Sequence, residues 1–491
     1  MDKPDLLIFF SDQHHAYCAG YAGHEVVRTP NLDRIAGDGT AFTAAYTACP
    51  LCVPARSAFL TGQLPSHTNI FRNQGCIPSD HATFLHSLAA EGYETVLCGR
   101  MHFVGPDQRH GFTRRIMGDI TGLYMGRGIK LAEWGVFDRT FGMGGCVDLV
   151  GGGKSPVLAY DEAVIEAALD YLSRPHEKPQ CIVVGTYAPH FPYVAPPDLY
   201  REYRDSAQLP PSWQAEKNYE HPVFDGKRQP RRHSVVTGED EPVSDDIALG
   251  ARAAYYGMIT RMDEQIGAVR EAWGDYLSAA GRDGVFVYVS DHGDTCGEHG
   301  VFGKQTFYDG SAAIPLVFEG SGVGRGAVLD SPVSIMDVGV TLCDLAGVGP
   351  PPAQDGRSLL PALADGVAPV DRAVVSEWVQ RQEGSLLPGR MVRQGRWKFV
   401  TFDGLDGADL LFDMLEDPHE LHNLSEERTD VAGRLDEIAR RGWETDRVRQ
   451  RYAEKSRHIA LVRKWDSEAD IDESEAWQAP PEACGMPTIA E

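Results

Sequence analysis

Apolar runs of about five residues alternate, over the first three quarters of the chain, with stretches that repeat an apolar residue every third or fourth position. Leu6 to Phe10 is continuously apolar, as a strand covered on both faces must be, and it breaks off at Ser11-Asp12-Gln13. Cys181 to Thr186 and Val285 to Val289 have the same form, and the latter ends in Ser290-Asp291-His292. Between these runs, Val164, Ile165, Ala168, Leu169 and Leu172 share one face of a helix predicted over 161–172. Tyr255, Met258, Met262, Ile266, Val269 and Trp273 make the stripe of a longer one. Thr29-Pro30 ahead of Leu32 and Ile35 starts a short helix that Gly37 or Gly39 ends. This rhythm predicts an α/β fold with a mixed, mostly parallel sheet sandwiched by helices.

The pattern changes at the proline and glycine cluster from Gly347 to Pro352, which follows a helix predicted over 335–345. Beyond it, Met391-Val392-Arg393 and Trp397 to Val400 flank Gln394-Gly395-Arg396 as the arms of a hairpin, and a charged helix is predicted over 426–452. The expected organisation is a large domain over 1–365, a smaller α+β domain over 366–465, and an extended acidic tail over 466–491 placed to reach a neighbouring subunit of a homo-oligomer. The stretch from Lys217 to Asp246, rich in charge and proline, reads as a long surface loop or lid.

Charge and cysteine content narrow the function classes. The 491 residues carry 46 Lys and Arg against 71 Asp and Glu, a formal charge of −25 that repels phosphate backbones and anionic lipid. Nucleic acid and membrane are therefore not the expected partners. No apolar run approaches the ~20 residues of a bilayer span, and the first apolar run is too short for a signal-peptide core. Ten scattered cysteines lack the spacing of a secreted disulfide framework, so a reduced, cytoplasmic chain is expected. Ligands of open α/β sheets bind beyond the carboxyl ends of the strands, which predicts that the Ser-Asp-Gln and Ser-Asp-His endings share one crevice.

Cys49-Pro50-Leu51-Cys52 followed by Pro54 and Arg56 admits two readings. As C-x-x-C it is a redox pair, a chemistry in which Pro54 and Arg56 have no part. Alternatively, Cys52 opens a helix with Pro54 in its first turn and Arg56 projecting beside it, a helix amino terminus plus a guanidinium being suited to a tetrahedral anion. The pattern C-x-P-x-R-x-x-x-L-T-G made by Cys52, Pro54, Arg56, Leu60, Thr61 and Gly62 closely resembles the signature of type I, formylglycine-dependent sulfatases, with Ala55 where serine is usual.

That resemblance implies an alkaline-phosphatase-like fold, a catalytic role for the 1–365 domain, and conversion of Cys52 to formylglycine by a maturation enzyme. It implies a divalent metal, Ca2+ first and Mn2+ or Mg2+ next, held by Asp12, Gln13, residue 52, Asp291 and His292. The imidazole of His292 favours a transition ion more than an all-oxygen shell would. Gly303-Lys304 resembles the end of the second family signature and makes Lys304 a substrate contact. Pro189-His190-x-Pro192-Tyr193 is similar to the segment whose histidine faces the leaving group. Gly92 to His102 resembles G-Y-x-T-x-x-x-G-K-x-H, with Arg100 at the lysine. Asn73 is a further substrate contact, alongside Arg100, His190 and Lys304.

The Gln13 and His292 pairing and the stretch from Gly92 to Phe112 are most similar to the choline sulfatase and phosphonate monoester hydrolase branch. The implied reaction is hydrolysis of an organic sulfate ester, of choline or of a carbohydrate. In it the hydrated formylglycine attacks sulfur; Arg56, Lys304 and the metal hold the equatorial oxygens; His190 protonates the leaving alcohol; and His102 acts as base for sulfate release. A choline headgroup calls for an aromatic cage, for which Trp134, Trp378 and Glu377 are candidates; Arg228 to Arg232 and Arg381 to Arg390 suit a sulfated sugar. The alternatives are a phosphonate monoester or phosphodiester hydrolase with the same site, and a non-catalytic metal and anion binder whose cysteine stays unconverted.

Overall fold

The computed structural model describes residues 3–105, 107–120, 147, 149–225, 243–367, 369 and 372–468. Among these, nine strands form the main sheet. From one edge the order is Ala327–Leu329, Thr40–Tyr46, Ala313–Gly320, Gly284–Ser290, Asp5–Asp12, Gln180–Pro189, Glu94–Gly99 and Arg114–Met117, with Val333–Ser334 also paired to Thr40–Tyr46. The five strands from Gly284–Ser290 to Arg114–Met117 are mutually parallel, and Ala313–Gly320 runs antiparallel to both of its neighbours.

Asp5–Asp12 lies in the middle because it is apolar on both sides. Leu6, Ile8 and Phe10 join one core with the helices Cys52–Thr61, Phe84–Ala90 and Met336–Leu345, whereas Leu7 and Phe9 join the opposite core with Pro30–Asp38, Pro156–Leu172 and Asp245–Ala280. Burial on two faces is what a continuous apolar run encodes. Phe10 pairs with Val289 and Ser11 with Ser290, so Asp12 and Asp291 leave the sheet side by side at carboxyl ends. Gly185 permits a close approach at that end: a Cβ there would lie 2.0 Å from the Arg100 carbonyl oxygen.

A four-stranded antiparallel sheet follows, Ala373–Gln382, Ser385–Gln394, Trp397–Phe402 and Leu410–Asp413. The expected hairpin closes with Gln394 opposite Trp397 and Gly395 at φ +53. This sheet is fastened to the first through Lys398, wholly buried and paired with Asp309 at 2.6 Å and Glu420 at 2.7 Å, and through the Glu377 N–H, which donates to the Ala48 carbonyl.

Three expectations change. The charged helix over 426–452 is two helices, Thr429–Arg440 and Thr445–Glu468, divided where Gly442 adopts φ +64. The start of the 217–246 stretch is packed rather than looped out, for Val223 and Phe224 lie in the core between the sheets; residues 226–242 lie outside the described residues. Of the 466–491 tail, 466–468 finish the last helix and 469–491 lie outside the described residues, as does Trp134.

His221, also in that packed stretch, gives an acid-stability prediction. It is fully buried and stacked on Phe224, with its Nδ1 accepting the N–H groups of Val223 and Phe224. Burial pushes its pKa down to about 4 from 6.5. Between those values the unfolded chain binds a proton that the folded chain refuses, so this contribution is complete above pH 6.5 and is lost as pH falls towards 4. It amounts to something on the order of 3 kcal/mol. The urea midpoint should fall across this window, and His221→Gln should flatten the fall; an unaltered slope would place the titration elsewhere.

Candidate active site

Four adjacent parallel strands deliver the side chains. Asp291 and His292 follow Gly284–Ser290, Asp12 ends its strand with Gln13 next, His190 follows Gln180–Pro189, and Arg100 and His102 follow Glu94–Gly99. The helix Cys52–Thr61 points its first residue at the same spot, with every one of its ten residues buried and Gly62 closing it at φ +68. Asn73 accepts the Val53 N–H at 3.1 Å, so its carbonyl oxygen serves the start of that helix.

The Cys52 Sγ sits 3.0 Å from Lys304 Nζ, 3.2 Å from His292 Nε2 and 3.9 Å from Asp12 Oδ1. Burial opposes ionisation of this thiol, but Lys304 and His292, helped by hydrogen bonds from His102 and His190, hold its pKa well below the ordinary range. The thiol marks where the oxygen nucleophile of a converted residue 52 would stand. Asp12, residue 52, Asp291 and His292 offer ligand atoms all within 4.8 Å of one another, and all four are buried. His292 Nδ1 donates to the Gly293 carbonyl at 3.0 Å, which leaves Nε2 facing the cluster; burial opposes a second proton there but Asp291 outweighs it and raises the pKa, and a cation would take the place of that Nε2 proton. Two carboxylate oxygens and one imidazole nitrogen suit a divalent cation.

Arg56 departs from its expected place on the sulfuryl group. Its Nε donates to Asp291 at 2.8 Å, its Nη2 to Asp12 at 3.0 Å, and its Nη1 to the Arg100 carbonyl at 3.2 Å, so the guanidinium faces the carboxylates. Arg100 Nε donates to the same Asp12 oxygen at 2.8 Å. Burial and the neighbouring Cys52 act to raise the Asp12 pKa, but Arg100, His190 and Arg56 outweigh them and keep it well below the usual carboxylate range. Gln13 differs too. Its amide oxygen accepts from Lys304 Nζ at 2.7 Å and its amide nitrogen donates to Asp294 at 2.7 Å, so in this geometry it orients Lys304 rather than turning its oxygen to the carboxylate pair.

The two histidines have opposite proton arrangements. His190 Nδ1 donates to the Phe191 carbonyl at 2.7 Å, which leaves Nε2 as the nitrogen that gains or loses a proton. His102 Nδ1 accepts from Arg100 Nη2 at 2.8 Å, so its neutral ring carries the proton on Nε2. His102 in this state is a donor, contrary to the base expected of it, and a second proton on Nδ1 would meet the arginine. Burial and the charge of Arg100 lower the His102 pKa, and burial and Lys304 lower that of His190.

Supporting carboxylates carried no motif of their own. Asp119 accepts the His102 N–H at 2.8 Å and pairs with Arg100. Asp294 collects the N–H groups of Cys296 and Gly303, the Tyr193 hydroxyl and the Gln13 amide. Its place three residues after Asp291 was the only available hint. Trp378 and Glu377 are not free for a cage: Trp378 packs on Phe307 and Phe402, and Glu377 binds Arg390 and Ser66. Arg390 is thereby removed from the surface as well. Arg228 to Arg232 lie outside the described residues.

A family model described as Sulfatase matches residues 4–348, and a second, described as N-sulphoglucosamine sulphohydrolase, C-terminal, matches residues 297–439. The chain belongs to the sulfatase family. It is thus a sulfuric ester hydrolase by descent, 34% identical to the choline-sulfatase of Rhizobium meliloti (strain 1021) over 86% of this chain and 83% of that protein. It is 26% identical to arylsulfatase K of Danio rerio over 89% of this chain and 83% of that protein. In fold, this sulfatase resembles the phosphonate monoester hydrolase of Agrobacterium radiobacter, with a TM-score of 0.72 and 23% identity over 98% and 99% of the two chains.

Proposed function

We propose that this sulfatase hydrolyses the sulfate ester of a small alcohol or a carbohydrate, choline sulfate being the first candidate, through a formylglycine made from Cys52. The observation that carries this reading is the Cys52 side chain, held at a helix start between Lys304 and the Asp12, Asp291 and His292 cluster. The relatives named choline-sulfatase and arylsulfatase support the ester class. A divalent cation on Asp12, Asp291, His292 and residue 52 would supply positive charge against the sulfuryl oxygens, and the converted residue would supply the oxygen nucleophile. Ca2+ is the first expectation; His292 makes Mn2+ the next, and metal analysis of the purified protein decides between them.

The chain's own groups supply the rest. Lys304, oriented by Gln13 and held beside residue 52, meets the sulfuryl oxygens. Arg56 and Arg100 keep Asp12 ionised. His190, with its Nδ1 proton engaged, gives an Nε2 proton to the leaving oxygen. His102 donates from Nε2 towards residue 52 and orients the nucleophile. Cys18, Cys49, Cys98, Cys181, Cys296 and Cys343 are buried and unpaired, which supports a reducing, cytoplasmic setting. Among the described residues no helix is long and apolar enough to cross a membrane. A homo-oligomer and a formylglycine-generating enzyme complete the proposed partners.

The test compares 4-nitrophenyl sulfate with the 4-nitrophenyl ester of phenylphosphonate, in protein made with a maturation enzyme and checked by peptide mass at residue 52. Sulfate turnover should exceed phosphonate turnover by at least about tenfold, equivalent to ~1.4 kcal/mol of barrier. A dominant phosphonate activity would overturn the ester assignment, and an unconverted thiol would overturn the nucleophile.

A further inference from the structure

Asp161, on the helix Pro156–Leu172, is 1% exposed and touches none of the groups assigned a chemical step. Both of its oxygens are engaged. The Tyr187 N–H donates to Oδ1 at 2.7 Å and the Ala188 N–H to Oδ2 at 2.8 Å. These two peptides lie where the strand Gln180–Pro189 loses regular pairing: Phe10 is opposite Gly185 and Asp12 opposite Pro189, with a register shift between. A bulge of this kind re-aims the chain that leaves a sheet, and a carboxylate that fills its acceptor positions fixes the new direction.

His190 leaves the sheet from that segment. Its N–H donates to the Tyr187 carbonyl at 3.1 Å, and its ring meets the Tyr187 ring edge-on with centroids 4.9 Å apart. Arg100 lies over the same tyrosine ring at 4.2 Å. The residue pinned by Asp161 is therefore the floor under both His190 and Arg100. We propose that Asp161 is a positioning residue for proton donation by His190, its two peptide hydrogen bonds setting where the imidazole Nε2 meets the leaving-group oxygen. The proposal rests on the reading of His190 as the acid.

Asp161→Asn tests it. The amide keeps the volume but turns an NH2 towards one of the two N–H groups, so one bond is lost while no cavity opens. Phenyl sulfate, whose leaving group is basic and needs the proton, should lose about tenfold or more in kcat, because small displacements of a catalytic group cost that much. 4-Nitrophenyl sulfate, whose leaving group departs readily as an anion, should stay within about threefold. His190→Ala should widen the same ratio, and the double variant should widen it no further than His190→Ala alone. Asp161→Glu, which keeps both acceptors, should restore part of the ratio and serves if the asparagine variant does not fold. Equal losses on both substrates, beside a widened ratio in His190→Ala, would overturn the positioning role. An unchanged ratio in His190→Ala would overturn the acid assignment and the proposal with it. If phosphonate esters prove the better substrates, the same two leaving groups on phenylphosphonate carry the comparison.

Discussion

Replacing Cys52 by alanine is expected to lower kcat by about 10⁴-fold or more, the usual scale when a nucleophile is deleted and only binding and electrostatic groups remain. The protein should still fold, because residue 52 is the first residue of its helix and alanine is a good helix former. Removing the thiol takes away the group that Lys304 holds at 3.0 Å, but the ammonium keeps the Gln13 oxygen at 2.7 Å and the neighbouring negative charges of Asp12 and Asp291. Cys52→Ser sharpens the test. Its hydroxyl can displace the alcohol at sulfur, its own proton passing to His190 Nε2 and from there to the leaving oxygen, but the resulting serine sulfate ester has no carbonyl to re-form. The expected result is a single turnover that leaves a stable sulfate ester on the introduced serine, read by peptide mass. An alanine variant that keeps more than about a tenth of the parent rate would remove Cys52 from the chemistry.

The position of the site was legible because the parallel strands that carry it are buried on both faces. Such strands read as unbroken apolar runs, and the residue at which each run stops is necessarily the residue at the crevice; Asp12 and Asp291 were found in this way. The signature around Cys52 fixed the helix for the same local reason, since Pro54 and Gly62 mark its start and end. What stayed hidden depends on partners far away in the chain. Arg56 meets residues 44 and 235 positions away, and nothing in its own neighbourhood says that its guanidinium turns to carboxylates rather than to a ligand. Asp161 and Asp119 are single carboxylates in ordinary segments whose roles exist only once two strands end side by side. Trp378 and Glu377 looked like a cage because aromatic and acidic residues have the same composition in a core as in a pocket. The break at Gly442 was masked by charge on both sides, where no apolar stripe shows a change of direction.

Arg56→Gln is expected to cost about 3–5 kcal/mol of folding stability in chelator, the range for removing one partner from buried ion pairs. Asp12 and Asp291 are both wholly buried, and Arg56 is the group that bridges them, from 2.8 Å on one side and 3.0 Å on the other. Asp12 would keep Arg100, but Asp291 would be left with the N–H groups of Gln13 and His292 at 3.0 and 2.9 Å and no guanidinium. Arg56→Lys should fall between parent and glutamine, retaining the charge but not the fork that reaches two carboxylates. A divalent cation should act unequally on these proteins. In the parent, Arg56, Arg100 and Lys304 already surround the two carboxylates and residue 52, so the site can fold without metal. In Arg56→Gln the cation becomes the main positive charge on Asp291, and saturation to ~100 times its dissociation constant would return about 2.7 kcal/mol through binding to the folded state alone. Urea titrations with and without added Ca2+ or Mn2+ read this as a larger metal-induced shift of the midpoint in the variant than in the parent. Equal shifts in the two proteins would mean that the cation does not share these carboxylates with Arg56, and the metal would then have to be sought elsewhere in the fold.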